Sequence, residues 1–207
     1  MIGEEMFVSL LKLSERRMLN GLIETLAQYG RPETIPYFER ALEDDFYRAA
    51  AEKAFQKLGK ASCDTLVLSA VTLRPGPFVE SPSSLERRRS AIRLLNGIGI
   101  APQHWQTLRR LLDEPDEELV VGASKLGMSI ASREDRRAIS HRLIGLVALA
   151  PWHLQEDIED ILTALKDESA GEIAGEVAQR NKQPEDLRAR DERLRALLRI
   201  QRRFETA

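Results

Sequence analysis

Few side chains in this 207-residue sequence could bind a metal or transfer a proton. The three histidines are His104, His141 and His153, and the only cysteine is Cys63. Metal-dependent hydrolases place their ligands at fixed spacings such as His-Glu-x-x-His, and none of the three histidines falls in such a pattern or in His-x-Glu. The sequence therefore predicts no metal site and no cofactor.

Covalent catalysis has little support in the sequence. Ser140 and His141 are adjacent, but neighbouring helical residues point about 100° apart and do not form a nucleophile–base pair by themselves. Cys63 lies close to Leu66 and Leu68, so we predict a small, buried packing residue. Phosphate-binding motifs and the Gly-x-Ser-x-Gly nucleophile motif do not occur. We therefore expect no catalytic residues and no enzymatic activity.

Arginines form the most prominent charged feature. They come in three groups along the chain: Arg87, Arg88, Arg89 and Arg93; then Arg109 and Arg110; then Arg133, Arg136, Arg137 and Arg142. Stacked helices could align these groups into a phosphate-binding stripe. Acidic residues are interleaved with them, however, which is more typical of a solvated helical face with pairs three or four residues apart. The net charge of −2 also argues against a dedicated nucleic-acid binder.

The elements that carry these residues are predicted to be helices. Apolar residues make up 43% of the chain and aromatic residues 5%, and the apolar positions recur every three or four residues. About twelve helices are predicted, with spans of 3–12, 15–29, 33–43, 45–58, 61–73, 84–98, 102–112, 116–131, 133–149, 152–165, 168–180 and 185–204.

Several of these helices are related by an internal repeat. The segment 44–59 aligns without gaps with 84–99, so that Asp44 matches Ser84 as an N-cap and Gly59 matches Gly99 as a left-handed C-terminal residue. A third copy begins at Asp116. The alignment predicts a buried set shared by the first two copies: Tyr47, Ala51, Ala54, Phe55, Leu58, Ala91, Leu94, Leu95 and Ile98.

The first copy resembles the second helix of a HEAT-like repeat. The residues that carry the resemblance are Asp44, Tyr47, Arg48, Ala51, Ala54, Phe55, Leu58 and Gly59. The resemblance implies an all-α, right-handed α-α superhelix (a HEAT-like repeat solenoid) of five to six antiparallel helix pairs. We expect one domain over 1–207, with a proline-rich loop at 74–83 and a C-terminal capping helix at about 185–204.

Two enzyme families share this architecture, and neither has a clear counterpart here. HEAT-fold alkylpurine DNA glycosylases use Trp, Asp and Arg in their concave face, but Trp105 has Arg109 one turn later and Trp152 has Glu156. Iron-binding hydroxylases with HEAT-like repeats carry His-Glu pairs, and the sequence has no His-Glu dipeptide. Since Trp152 follows Pro151 at a helix start, we predict a capping or packing role for it.

In HEAT-like proteins the outward side of each second helix lines the concave surface. Carrying that helical phase through the repeats gives the candidate partner-binding residues Lys53, Gln56, Arg89, Arg93, Asn96, Val121, Lys125 and Met128. Cations beside exposed Val and Met suit an acidic and apolar peptide. The sequence therefore predicts a non-catalytic scaffold or adaptor that binds a protein segment. The alternatives are a nucleic-acid-associated solenoid that uses the arginine stripe and an enzyme on this fold whose catalytic residues the sequence does not identify.

The location of the protein is predicted from its N-terminal segment and its cysteine content. The N-terminus is acidic, and the apolar run from Phe7 to Leu11 is too short to span a bilayer. A single cysteine suits a reducing compartment. We expect a cytoplasmic protein without a membrane span. The sequence leaves the oligomeric state open.

Overall fold

The computed structural model describes residues 3–75 and 80–206, and most of these residues are helical. The α-helices are α1 (Glu4–Ser14), α2 (Asn20–Tyr29), α3 (Ile35–Ala41), α4 (Arg48–Leu58), α5 (Cys63–Val71), α6 (Pro82–Ile98), α7 (Trp105–Leu108), α8 (Glu117–Gly127), α9 (Arg133–Leu146), α10 (Trp152–Ala164), α11 (Lys166–Arg180), α12 (Glu185–Arg190) and α13 (Glu192–Thr206). Strand-like pairing within the described ranges is limited to one bridge between Pro75 and Glu80. The all-α prediction is confirmed.

The chain divides into two compact units, Met1–Leu108 and Arg109–Ala207. In the first unit α2 packs against α4 and α4 against α6, while α5 packs against both α6 and α7. Helices two apart in sequence are thus neighbours, as stacked helix pairs require.

The second unit shows the same kind of packing. Helix α8 contacts α9, α10 and the 3₁₀ segment Arg109–Asp113, while α9 contacts α11. Helix α13 covers α10 and α11. The right-handed superhelix, the single domain over 1–207 and the HEAT-like family resemblance stay predictions.

The predicted core of the repeat is largely confirmed. Buried members are Ala51, Ala54, Phe55, Leu58, Ala91, Leu94 and Leu95. Phe55 packs its ring edge-on against Phe38, with centroids 6.0 Å apart. Tyr47 and Ile98 are only half-buried, so the prediction was wrong for both. Tyr47 precedes the first turn of α4, and Ile98 is the last residue of α6, so neither is enclosed by neighbouring turns.

The predicted N-cap residue is observed in one of the three aligned copies. Asp116 accepts a hydrogen bond from the Leu119 amide, 3.1 Å away, as an N-cap should. The N-cap of α4 is Tyr47 instead of Asp44, whose carboxylate accepts from the Phe46 amide in a turn before the helix. Helix α6 begins two residues earlier than predicted, and Ser81 caps it instead of Ser84.

The glycines at the ends of α4 and α6 have the positive φ that was predicted, although their ψ angles of −133° and 155° lie outside the left-handed helical region. Gly59 has φ of +55° and Gly99 has φ of +80°. Residues with a Cβ rarely adopt such angles, which explains why the repeat ends on glycine in both copies.

The loop predicted over the proline-rich segment 74–83 ends earlier than expected, because α6 begins at Pro82. Pro82 occupies the first turn of α6, where its missing N–H would have no helical partner, so proline is compatible with helix there. Arg74 and Pro75 are exposed. Residues 76–79, which include Phe78 and Val79, lie outside the described part of the chain.

The predicted C-terminal helix is broken at Asp191. This residue separates α12 from α13, and its carboxylate accepts from the Leu194 amide at 2.9 Å. Leu187, on α12 before the break, is exposed. The buried face of α13 consists of Leu194, Ala196, Leu197, Ile200 and Phe204.

Two of the arginines predicted to lie on the surface are fully buried. Arg87 donates from Nη1 to the Ser69 carbonyl at 3.1 Å and from Nη2 to the Thr72 carbonyl at 2.6 Å. Arg88 donates from Nε to the Ala70 carbonyl at 2.9 Å. The last carbonyls of a helix have no intrahelical donors, and here α6 supplies those donors to the end of α5.

Acidic side chains neutralise these buried cations. Arg87 Nε lies 2.9 Å from Glu43 Oε1, in an ion pair without hydrogen-bond alignment, and Arg88 Nη1 lies 2.8 Å from Glu80 Oε2. Burial lowers the pKa of Arg87, and the Glu43 carboxylate opposes that shift. The prediction that both arginines belong to a solvated face was wrong, because the buried carbonyls of Ser69 and Ala70 at the end of α5 accept hydrogen bonds from these two side chains.

Replacement of Arg87 tests the stabilising role of this network. We expect Arg87→Ala to lower the free energy of unfolding by roughly 3–5 kcal/mol, since it removes the buried donors to the Ser69 and Thr72 carbonyls and the ion pair with Glu43. Arg89→Ala is the matched control, because Arg89 is half-buried and pairs with Glu86 on the same helix. Arg89→Ala should lower the free energy of unfolding by less than about 1 kcal/mol. Urea denaturation measures both values, and equal losses would contradict a special role for Arg87.

Candidate functional site

A groove of about 540 Å³ lies between α4 and α6 in the first unit. The lining residues are Glu52, Gln56, Gly59, Lys60, Arg93, Leu94, Gly97 and Ile98. Both walls come from the repeated segments, because α4 and α6 are equivalent helices of neighbouring copies. The small residues Ala51, Ala54 and Ala91 of these helices are fully buried.

Some of the predicted binding residues of the first unit reach this groove. Gln56 and Arg93 line it, and Lys53 is exposed one turn before Gln56 on α4. Asn96 is half-buried and donates to the Ile92 carbonyl at 2.9 Å, while Arg89 Nη1 lies 2.7 Å from Glu86 Oε1.

The other lining residues were not predicted. The predicted residues all point away from the core, whereas the groove is also lined by residues at the edge of the buried face, such as Leu94 and Ile98. Gly97, two residues before the end of the repeat at Gly99, was a signal that could have been used.

The charged residues that line the groove are Lys60, Arg93 and Glu52, an excess of one cation. Lys53, Lys57 and Lys60 are exposed along α4 and its end, and Arg93 projects from α6. Glu52 is the carboxylate among the lining residues, and its Oε1 lies 3.3 Å from Arg93 Nη2. This local excess of cations favours an anionic ligand.

Gly97 keeps the groove open. A Cβ added at this position would have no heavy atom within 4 Å, so the space beside it is free of protein. Leu94 is buried beneath, and Ile98 is half-buried. The groove thus combines an apolar floor and a gap at Gly97 with a cationic rim.

The predicted binding residues of the second unit have different environments. Val121 is only 2% exposed, so its prediction as a contact residue was wrong. The reason is that α8 packs against helices on several sides, which buries more than one face of it. Lys125 Nζ lies 2.7 Å from Asp157 Oδ1 on α10, and Met128 is half-buried. These residues are not among those that line the groove of the first unit.

Much of the predicted arginine stripe is engaged within the protein. Besides the buried Arg87 and Arg88, Arg136 pairs with Glu168 at 3.1 Å. Arg109 lies 3.1 Å from Asp135, and Arg142 donates to the carbonyls of Leu112 and Glu114. Since these guanidinium groups already have partners, they are less suited to bind phosphates than the sequence alone indicated.

The histidines at 104 and 141 have carboxylate partners. His104 lies 2.8 Å from Asp64 through Nε2, and its Nδ1 accepts from the Ala101 amide at 3.3 Å. Both ring nitrogens of His104 are therefore occupied. His141 is exposed and lies 2.8 Å from Glu172, whereas the adjacent Ser140 is buried. This difference agrees with the expectation that Ser140 and His141 lie on different faces of α9.

The two tryptophans differ in exposure. Trp105 is buried, whereas Trp152 is 83% exposed at the start of α10. The prediction that Trp152 has a capping or packing role was wrong. Its indole extends into solvent from the first turn of α10 and lies edge-on to the adjacent His153 ring, with centroids 5.9 Å apart.

Cys63 is buried, as predicted. Its Sγ lies 3.5 Å from the Gly99 carbonyl. Burial, followed by the charge of Asp64, raises the pKa of the thiol. Since the thiolate is the reactive form, this environment lowers the nucleophilicity of Cys63.

Residues 3–75 and 80–206 contain no cluster of three or more His, Cys, Asp or Glu side chains that could hold a metal ion. Across the same ranges, no helix is sufficiently long and apolar to cross a membrane. Comparison of the chain with protein-family models, curated proteins and solved structures gives no match.

The environment of Cys63 predicts slow chemical modification. We expect the native protein to react with a thiol-specific disulfide reagent at pH 8 at least roughly tenfold more slowly than the protein in denaturant, because burial limits both access and ionisation. Absorbance of the released thiolate follows both reactions. Equal rates in the two conditions would show that Cys63 is accessible in the folded protein.

Proposed function

We propose that this protein is a non-catalytic interaction scaffold whose groove between α4 and α6 binds an acidic, partly apolar segment of a partner protein. The observation that carries the proposal is the combination of a 540 Å³ groove, an apolar floor and a cationic rim in one place. The helix repeat that forms its walls supports an adaptor role, since repeat helices provide extended surfaces for protein ligands.

The charge distribution supports an acidic ligand. Lys60 lies on one wall and Arg93 on the other, and Lys53 and Lys57 are exposed elsewhere on α4. Carboxylates of a peptide lying along the groove could contact both walls, and Arg93 could bind one of them in a bidentate manner. The half-exposed pair between Glu52 and Arg93 contributes little stability by itself, so exchanging Glu52 for a ligand carboxylate costs little.

The shape of the groove supports a ligand that also carries an apolar side chain. Gly97 leaves space above Leu94 and Ile98, and neither a phosphate nor a sugar would use that apolar floor. An aliphatic or aromatic residue inserted there would bury apolar surface on both partners. Acidic residues flanking one apolar anchor therefore match the groove best.

The nucleic-acid alternative has weaker support. It depended on a continuous arginine stripe, and several of those arginines are buried or paired with carboxylates within each unit. We place the proposed scaffold in the cytoplasm, with the free thiol of Cys63 as support for a reducing compartment.

Two groove variants test the proposal with a defined probe. The probe is a fluorescein-labelled peptide of about twelve residues that repeats Glu-Leu-Asp-Phe, and anisotropy measures its affinity. Arg93→Glu should weaken binding roughly tenfold or more, which is a loss of about 1.4 kcal/mol, because it repels the ligand carboxylates. Gly97→Leu should fill the groove and abolish binding. Its melting temperature should be unchanged or higher, since leucine favours helix over glycine.

The controls separate charge, shape and ligand class. Arg137→Glu makes the same charge change at an exposed position of the second unit and should leave binding unchanged. A peptide that repeats Glu-Ser-Asp-Gly tests the need for an apolar anchor, and a single-stranded DNA oligonucleotide tests phosphate binding. Full peptide affinity in both groove variants would refute the proposed site. Tighter binding of the oligonucleotide would favour the nucleic-acid alternative.

A further inference from the structure

Helix α1 leaves an apolar stripe exposed to solvent. Met6 is 54% exposed, Leu13 is 40% exposed, and Leu10 between them is half-buried. The residues that α1 buries are Phe7 and Ser14, which face the rest of the first unit through packing on α2. Large aliphatic side chains at consecutive turns thus remain in contact with water.

The stripe has the spacing of a helix–helix interface. Met6, Leu10 and Leu13 are related by four and three residues, so they follow one side of α1, about 100° from Phe7. Ser9 lies beside them and is exposed, and its small side chain allows a second helix to approach closely. Val8 is also exposed but lies on the opposite side of the helix, outside the stripe.

Charged residues along one edge of the stripe indicate its partner. Glu5 and Lys12 are both exposed and lie seven residues apart, on the side away from the buried face. If two copies of α1 pack antiparallel about a two-fold axis near residue 9, Glu5 of each copy comes close to Lys12 of the other. A parallel arrangement would instead bring the two Glu5 side chains to the same level and the two Lys12 side chains likewise, so that like charges repel.

We propose that the exposed face of α1 binds the same face of a second copy of this chain, in an antiparallel, two-fold symmetric helix pair. The apolar contacts are Met6 against Leu13 of the other copy and Leu10 near the axis. The two Glu5–Lys12 pairs fix the direction of the helices. Isologous interfaces of this kind are the commonest basis of homodimers.

A membrane surface fits this face less well. Helices that bind anionic lipids carry Lys and Arg on their polar side, whereas the polar side of α1 carries Glu4 and Glu5 with a single Lys12. The acidic edge would be repelled by anionic headgroups. The apolar and charged residues of α1 are instead complementary to those of a second, antiparallel copy of the same helix.

Sedimentation equilibrium of the full chain tests the proposal. The weight-average mass should rise with concentration from 23.4 kDa towards twice that value. Leu13→Glu should keep the protein monomeric. Val8→Glu is the matched control, because it adds the same charge to an exposed aliphatic position of α1 outside the stripe, and it should leave association unchanged.

A charge-swap experiment tests the antiparallel direction. Glu5→Lys alone and Lys12→Glu alone should each lose association, since each places like charges opposite each other. An equimolar mixture of the two variants should associate again, because both lysines of one variant then face both glutamates of the other. Circular dichroism confirms that each variant is folded.

Restored association in the equimolar mixture of the two variants would support the proposed antiparallel pair of α1 helices. A wild-type protein that stays monomeric at millimolar concentration, a dimer that survives Leu13→Glu, or a mixture that stays monomeric would each overturn it.

Discussion

The first unit depends on the need of α5 for hydrogen-bond donors at its C-terminal end. Arg87 and Arg88 meet that need from α6, and the carboxylates of Glu43 and Glu80 in turn neutralise the buried guanidinium groups. Glu43 follows α3 and Glu80 precedes α6, so the arginines connect three parts of the chain through hydrogen bonds and ion pairs. Apolar contacts alone would hold these helices together without fixing their register. Buried charged bonds tolerate little displacement, because any misalignment leaves a costly unpaired group.

Helix α6 has two different roles as a result. Its N-terminal half fixes the helix to α5, while its C-terminal half forms one wall of the groove through Arg93, Leu94 and Gly97. A wall that is anchored in this way can present a cation and a gap at constant spacing from α4. Such rigidity lowers the entropy that a ligand must overcome on binding, which suits a scaffold that recognises a short segment.

Cross-helix ion pairs occur at comparable positions in both units. Arg93 of α6 pairs with Glu52 of α4 in the first unit, and Lys125 of α8 pairs with Asp157 of α10 in the second. These exposed pairs add little stability. They do keep the long side chains extended across neighbouring helices, so each unit presents its charges in a defined arrangement. The exposed stripe of α1 is different, because its charges have an apolar row beside them and suit another helix better than a peptide.

The sequence was sufficient to predict most of the helices and much of the core. Apolar spacing and the glycines at 59 and 99 are local properties, and they identified α4, α6 and the burial of Phe55 correctly. It also located the groove in part, because Gln56 and Arg93 follow from the outward phase of two repeated helices. Tertiary structure alone decided which arginines are buried, since the role of Arg87 depends on carbonyls of α5 some eighteen residues away. It likewise decided that Val121 is covered and Trp152 is exposed. Burial depends on which helices pack on which side, and that information lies in contacts between distant segments rather than in the period of any one helix.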